Sequence, residues 1–303
     1  MALPNSEFKN TKNLMDRETV SERIKRRLQL NEIFKYVFLA GLVFALVVLS
    51  TLIYDIVSKG AGWVDLDFLR NFPSRRPEQA GLYPALIGSL WLMFLIVPMV
   101  FVIGVGAAIY LEEYAPKNRM TSFIEVNISN LAGVPSIVFG LLGLTIFVRV
   151  MELGNSVMAG ALTLGLMSLP IVIVASQEAL RAVKMELRHA SLALGASKWQ
   201  TTFNVVLPSA IPGIITGIIL AVSRAIGETA PLIMVGAATF ISTTPSGIFS
   251  DFTALPIQIY NWTSRPQPEF QNLAAAGIIV LMTMLIAMNS VAIYIRNKYT
   301  NRH

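Results

Sequence analysis

Long apolar blocks separated by short charged stretches set the character of this chain. They predict helices near 34–57, 84–111, 124–150, 155–179, 210–238 and 272–295. Runs of about 18 or more apolar residues with few charges are long enough to cross a bilayer. In hydrocarbon the backbone must satisfy its own hydrogen bonds, which a helix does within one segment. The expected fold is therefore an all-α polytopic membrane protein with six transmembrane helices. The third block contains Asn127, Asn130 and Pro135, interruptions that should face protein rather than lipid. The pattern divides the chain into an arm at 1–33, a first helix at 34–57 and a loop at 58–83. A five-helix core follows at 84–297, with a long connection at 180–209, and then a tail at 298–303.

Composition agrees with this division. Of 303 residues, 54% are hydrophobic and 14% charged, and the mean hydropathy is +0.61; soluble domains carry about a quarter charged residues. The 24 lysines and arginines concentrate in the arm, after the second and fourth helices, and in the tail. By the positive-inside rule, both termini and the even-numbered loops are expected to be cytoplasmic. The net charge of +6 is then mainly a topological signal. Nucleic-acid binding would need a soluble basic face, which is missing. The cluster Arg23–Arg27 also suits anionic lipid headgroups. Cysteine is absent, and two histidines, His189 and His303, do not make a metal cluster. The hydrophilic first 33 residues are unlike a cleavable signal peptide, so the first helix should serve as an uncleaved targeting signal.

The connection 180–209, "LRAVKMELRHASLALGASKWQTTFNVVLPS", has helical periodicity. Leu187, Ala190, Ser191 and Leu194 form one run, Gly195 ends it, and Trp199, Phe203 and Val206 restart it. Two short helices around a glycine turn are expected, with Pro208 breaking the chain before the fifth span. Such a knob suits a groove on a partner, and it equally suits an amphipathic connector on the membrane surface.

The fifth block carries charge. On a helix, Gly213, Gly217, Ala221, Arg224 and Glu228 fall within a stripe about 80° wide. Ile214, Ile215, Ile218, Ile219, Val222 and Ile226 occupy the rest. Small residues permit close helix packing, so the charges should face protein or a water-filled path. A charge at mid-membrane costs roughly 2.5–3.5 kcal/mol, which pairing at a spacing of four partly offsets. Two readings stay open: a structural ion pair, or an arginine that meets a passing anion. A guanidinium stays protonated and its planar fork matches oxyanions. Glu125 and Glu178 lie near the cytoplasmic boundary, where snorkelling or solvent exposure is expected.

Several stretches resemble a known family. Gly195, Val205, Leu207 and Pro208 have the spacing of the cytoplasmic coupling loop of ABC importer permeases, with His189, Ala190 and Ser191 where the family usually has Glu-Ala-Ala. The acidic first position is lost here. "NLAGVPSIVFGLLGL" (130–144), "LTLGLMSLPIVIVASQEALRAV" (162–183), "SRAIGETAPLIMVGA" (223–237) and "FTALPIQIYNWTSRPQPEF" (252–270) resemble the A-type permease subunits of phosphate-specific ABC importers, the PstA family. The resemblance implies an ABC importer permease fold with a cytoplasmic coupling helix. It implies a C-type permease partner in a heterodimer, two copies of an ATP-binding subunit, and an external phosphate-binding protein. The site of action would be a bacterial or archaeal cytoplasmic (inner) membrane. It places Arg224 in the path of phosphate, and makes His189 to Ser191, Gly195, Val205, Leu207 and Pro208 the coupling segment. No GxxxxGK[ST] loop occurs, so ATP and Mg would belong to the partner ATPase and this chain would be a non-catalytic permease without a cofactor. Alternatives are a membrane-embedded sensor of phosphate status, or a permease for another oxyanion such as sulfate.

Two loops remain. In 239–271, Tyr260, Trp262, Pro256, Pro266 and Pro268 suggest a re-entrant segment at the interface or a contact for the binding protein. In the first loop, Arg70, Arg75 and Arg76 stand against Asp65, Asp67 and Glu78, a solvated mixed-charge loop that could also receive an anion.

Overall fold

The computed structural model describes residues 17–237, 241 and 243–300, so part of the arm, part of the loop after the fifth span and the last residues of the tail lie outside the description. Two units divide at Asp55 and Ile56. The first supplies most of helix α1, Arg17–Gly60, which contains the predicted span and extends helically into the arm.

In the second unit a short helix α2, Leu66–Arg70, precedes α3, Tyr83–Tyr114. Helix α4, Arg119–Leu131, and α5, Ser136–Val150, follow, then α6, Val157–Arg181. After α7, Met185–Ala193, comes α8, Lys198–Gly227. The chain closes with α9, Ala230–Met234, α10, Leu255–Thr263, and α11, Pro268–Thr300. Among the described residues five helices are long and apolar enough to cross a membrane, or six spans if α4 and α5, bent by 103° at their break, count as one. The third predicted block, 124–150, is thus interrupted between two helices. Pro135 has no N–H and disfavours helix at the residue before it, so the helix stops at Leu131 and restarts at Ser136. Asn127 and Asn130 remain exposed within this chain, and the Asn127 amide donates to its own helix at Phe123 O, 2.7 Å away.

Helix α6 is the hub. Its Leu164, Met167, Val172 and Leu180 are buried in the main apolar core against α3 and α8. Close approach to α8 depends on small residues. A Cβ at Gly213 or Gly217 would stand 2.7 Å from Ala179 Cβ or 2.5 Å from Ala175 Cβ. Glycine and alanine at matching heights let two backbones pack where lipid supplies no hydrophobic drive.

One end of the bundle is capped by its connecting loops. The N–H groups of Val157 and Met158 donate to Ser250 O and Ile248 O at 3.1 and 2.8 Å. Phe252 and Trp262 are fully buried, and the Trp262 ring lies 5.8 Å from Phe68 of α2. Trp262 is therefore a core residue rather than an interfacial anchor; Tyr260 of the same helix is exposed. The first loop joins this cap through Phe68, with Asp65 capping α2 by accepting the Phe68 N–H at 2.6 Å. Its Arg70, Arg75 and Arg76 are exposed.

At Gly88 of α3 an added Cβ would collide with the carbonyl oxygen of Thr253. Gly88→Ala should cost about 1–3 kcal/mol, because backbone cannot yield as a side chain can. The melting midpoint in detergent should fall, while Gly62→Ala, which meets nothing within 4 Å, should leave it unchanged.

Candidate functional site

The fifth span differs from its expected form at both ends. Lys198–Gly227 is one helix, so Pro208 does not break the chain, and no separate second short helix forms. A widened turn over Thr202–Val206, in which the Leu207 N–H reaches back to Thr202 O, precedes Pro208 and absorbs its missing donor. At the far end the helix stops at Gly227. Glu228 is extended, with φ −76° and ψ 129°, and α9 begins two residues later.

Arg224 and Glu228 nevertheless meet across this break. Arg224 Nε donates to Glu228 Oε1 at 3.4 Å, a long contact, with the arginine side chain 51% exposed and the glutamate 19%. The small-residue stripe divides. Gly217 and Ala221 are buried and Gly213 approaches Ala179, while Leu220, Arg224 and Gly227 lie along a face that no described residue covers. The opposite side borders two apolar cavities of about 620 and 480 Å³, lined among others by Ile211, Ile215, Ile218 and Val222. At the position before Arg224, Ser223 Oγ donates to Asn289 Oδ1 of α11 at 2.8 Å, a link that no local pattern signals.

Helix α7 projects as a knob. His189, Ala190, Leu194 and Gly195 lie on or beside it, and Leu194 at its tip is 89% exposed. Its end is a Schellman motif, with the Ala196 N–H donating to Ser191 O and the Gly195 N–H to Leu192 O. Gly195 adopts φ +87°, which explains the residue type at that point. Ser191 Oγ lies 2.9 Å from Thr201 Oγ1, tying the knob to α8. Val205, Leu207 and Pro208 are not on the knob; they form the base of α8.

Ion pairs hold the knob's base. Arg181 donates to Glu112 at 2.8 Å, Glu178 at 3.2 Å and Glu125 at 3.4 Å, joining α3, α4 and α6. Glu125 and Glu178 thus share a cation, although Glu178 keeps much of its solvent exposure. Arg188 of α7 pairs with Glu113 of α3 and also donates to Leu180 O at 2.7 Å. The charge pattern alone assigned these arginines to topology. Two adjacent carboxylates, Glu112 and Glu113, at the end of an apolar run were the available signal.

Residues 101–300 match the family described as the binding-protein-dependent transport system inner membrane component. Phosphate transport system permease protein PstA 1 of Mycobacterium tuberculosis is 33% identical over 92% of this chain and 91% of its own length. PstA of Mycobacterium leprae is 36% identical over 87% of each. The chain belongs to the PstA family of binding-protein-dependent permeases. A probable ABC transporter permease of Bacillus subtilis, YqgI, is 33% identical over 84% of this chain and 90% of its own. Among solved structures, the inward-facing MetNI methionine ABC transporter gives a TM-score of 0.60 at 18% identity, covering 72% of this chain and 95% of that one. A bacterial ABC importer of the acidic polysaccharide alginate gives 0.60 at 11% identity, covering 91% and 99%. These two likenesses establish the fold as that of an ABC importer permease. As a PstA-family permease the chain is a multi-pass membrane subunit that works beside other subunits of its importer.

The left-handed turn that ends α7 yields a direct test. Gly195→Ala should cost about 1–2 kcal/mol, the penalty of a Cβ in that conformation. Gly106→Ala, inside α3 with open space around it, should instead gain about 0.5–1 kcal/mol. Melting midpoints of the two variants in detergent should therefore move in opposite directions.

Proposed function

We propose that this chain is the A-type permease subunit of an ATP-driven importer of inorganic phosphate, and that Arg224 meets the anion in transit. Identity of 33–36% to PstA permeases over most of both chains carries the substrate assignment. Arg224 carries the mechanism, being a half-exposed guanidinium on a face of α8 that is neither packed on α6 nor bordered by an apolar cavity.

That face is completed by a C-type permease partner, so the path lies between two subunits. Guanidinium and phosphate form paired, charge-assisted hydrogen bonds. Glu228 occupies the arginine when no anion is present, and its long contact is readily displaced. Weak, exchangeable binding is what conduction requires. The end of α8 at Gly227 puts helix-terminal backbone carbonyls beside the same spot, and these favour the arginine cation there. Both termini and the α7 knob are cytoplasmic. The knob docks on one of two ATP-binding subunits, which hold ATP and Mg, and an external phosphate-binding protein delivers substrate at the capped end. The setting is a bacterial or archaeal inner membrane, and no covalent chemistry occurs in this chain.

Uptake of labelled phosphate by vesicles carrying the whole complex tests this reading. Arg224→Gln should reduce uptake by about tenfold or more, and Arg224→Gln combined with Glu228→Gln should not recover it. Recovery in the double variant would make the arginine a counter-ion only. Excess sulfate should leave wild-type uptake unchanged; inhibition by sulfate would broaden the substrate, and absence of any uptake would favour a sensor.

A further inference from the structure

The α7 knob is held to the bundle on two sides. Towards α8 there is the Ser191–Thr201 contact and the turn at Gly195, which has open space around it. Towards α3 there is an ion pair shielded from water. The side chains of Arg188 and Glu113 are 15% and 9% exposed. Arg188 also donates to Leu180 O at the end of α6. The start of α8 rests on the same end of α3, with Lys198 Nζ 5.3 Å from the centre of the Tyr114 ring and the Tyr114 ring 6.4 Å from Trp199. Glu113 and Tyr114 are the last two residues of α3, in a widened helical turn that spans Tyr110–Tyr114.

The two consecutive carboxylates divide their work. Glu112 meets Arg181, the last residue of α6, while Glu113 meets Arg188 on the knob. A cavity of about 240 Å³ lies beside the second pair, lined in part by Met185, His189 and Leu192, so the knob is not packed tightly all round. A buried pair with satisfied hydrogen bonds is a stiff and directional link, because separating it leaves two uncompensated charges out of water.

We propose that Arg188 and Glu113 are positioning residues that make α7 and α3 one mechanical body. Movement imposed on the knob then reaches α3 directly. This rests on the reading that the knob docks on the ATPase. The structural basis is separate, since the tie lies wholly within this chain.

Two measurements on the assembled complex decide the matter. Spin labels at Met185 on α7 and Tyr110 on α3, both exposed, should keep one distance with and without ATP. A change approaching one helical turn, about 5 Å, would overturn the tie. In proteoliposomes, Glu113→Gln and Arg188→Gln should each lower phosphate carried per ATP hydrolysed by about tenfold while the ATPase still co-purifies. The exchanged pair, Glu113→Arg with Arg188→Glu, should recover part of that ratio. An unchanged ratio in the single variants contradicts the proposal. If the single variants fail to assemble, the wild-type distance, constant or changed, still decides for or against the tie. Loss of ATPase cross-linking to the knob in wild type would instead defeat the docking reading.

Discussion

A peptide backbone surrounded by hydrocarbon has only itself to hydrogen-bond. From that constraint come the long helices, the concentration of irregular backbone at the bundle ends, and the significance of the few places where a helix stops in mid-bundle. There are two such places among the described residues, between α4 and α5 and between α8 and α9. They support one another. The short α9 lies against α5, with Pro231 so near Gly140 that a Cβ there would come within 2.8 Å of its backbone.

The same constraint governs charge. Arg181 and Arg188, at the end of the bundle, are fully engaged by carboxylates and a carbonyl, and they read as architecture. Arg224 has one long contact and an open face. A cation left so lightly compensated between spans is costly, and under the proposed function an anion in transit would offset that cost. The break at Gly227 matters here because it lets Glu228 swing free of helical spacing while staying within reach.

Much of this is legible in the sequence. Hydropathy locates the helical blocks; the structure lengthens the first, second and last, shifts 155–179 to Val157–Arg181, and moves 210–238 to Lys198–Gly227. Periodicity locates the knob and its glycine end, because a Schellman turn has a strong residue preference at one position. The third span and the end of the fifth escape it for one reason. Hydropathy reports burial in lipid and is blind to helix direction, so a bend at Pro135 and a stop before Glu228 leave the apolar count unchanged. Trp262 escapes it because aromatic residues near a span suit both an interface and a capped core, and only tertiary packing distinguishes them. The ion pairs joining α3 to α6 and α7 lie 69 and 75 residues apart in the chain, beyond any local pattern.

The central claim is that the Arg224 face of α8 lines a water-filled anion path. The chain has no cysteine, so single cysteines can report on that face without background from this subunit. Leu220→Cys and Gly227→Cys, each in the complete importer, should react with a charged, membrane-impermeant thiol reagent at rates that depend on ATP, and phosphate should slow them. Phe94→Cys, on an exposed apolar position of α3, should react slowly in every state. If Leu220→Cys and Gly227→Cys react as slowly as Phe94→Cys and ignore phosphate, the path does not run along this face.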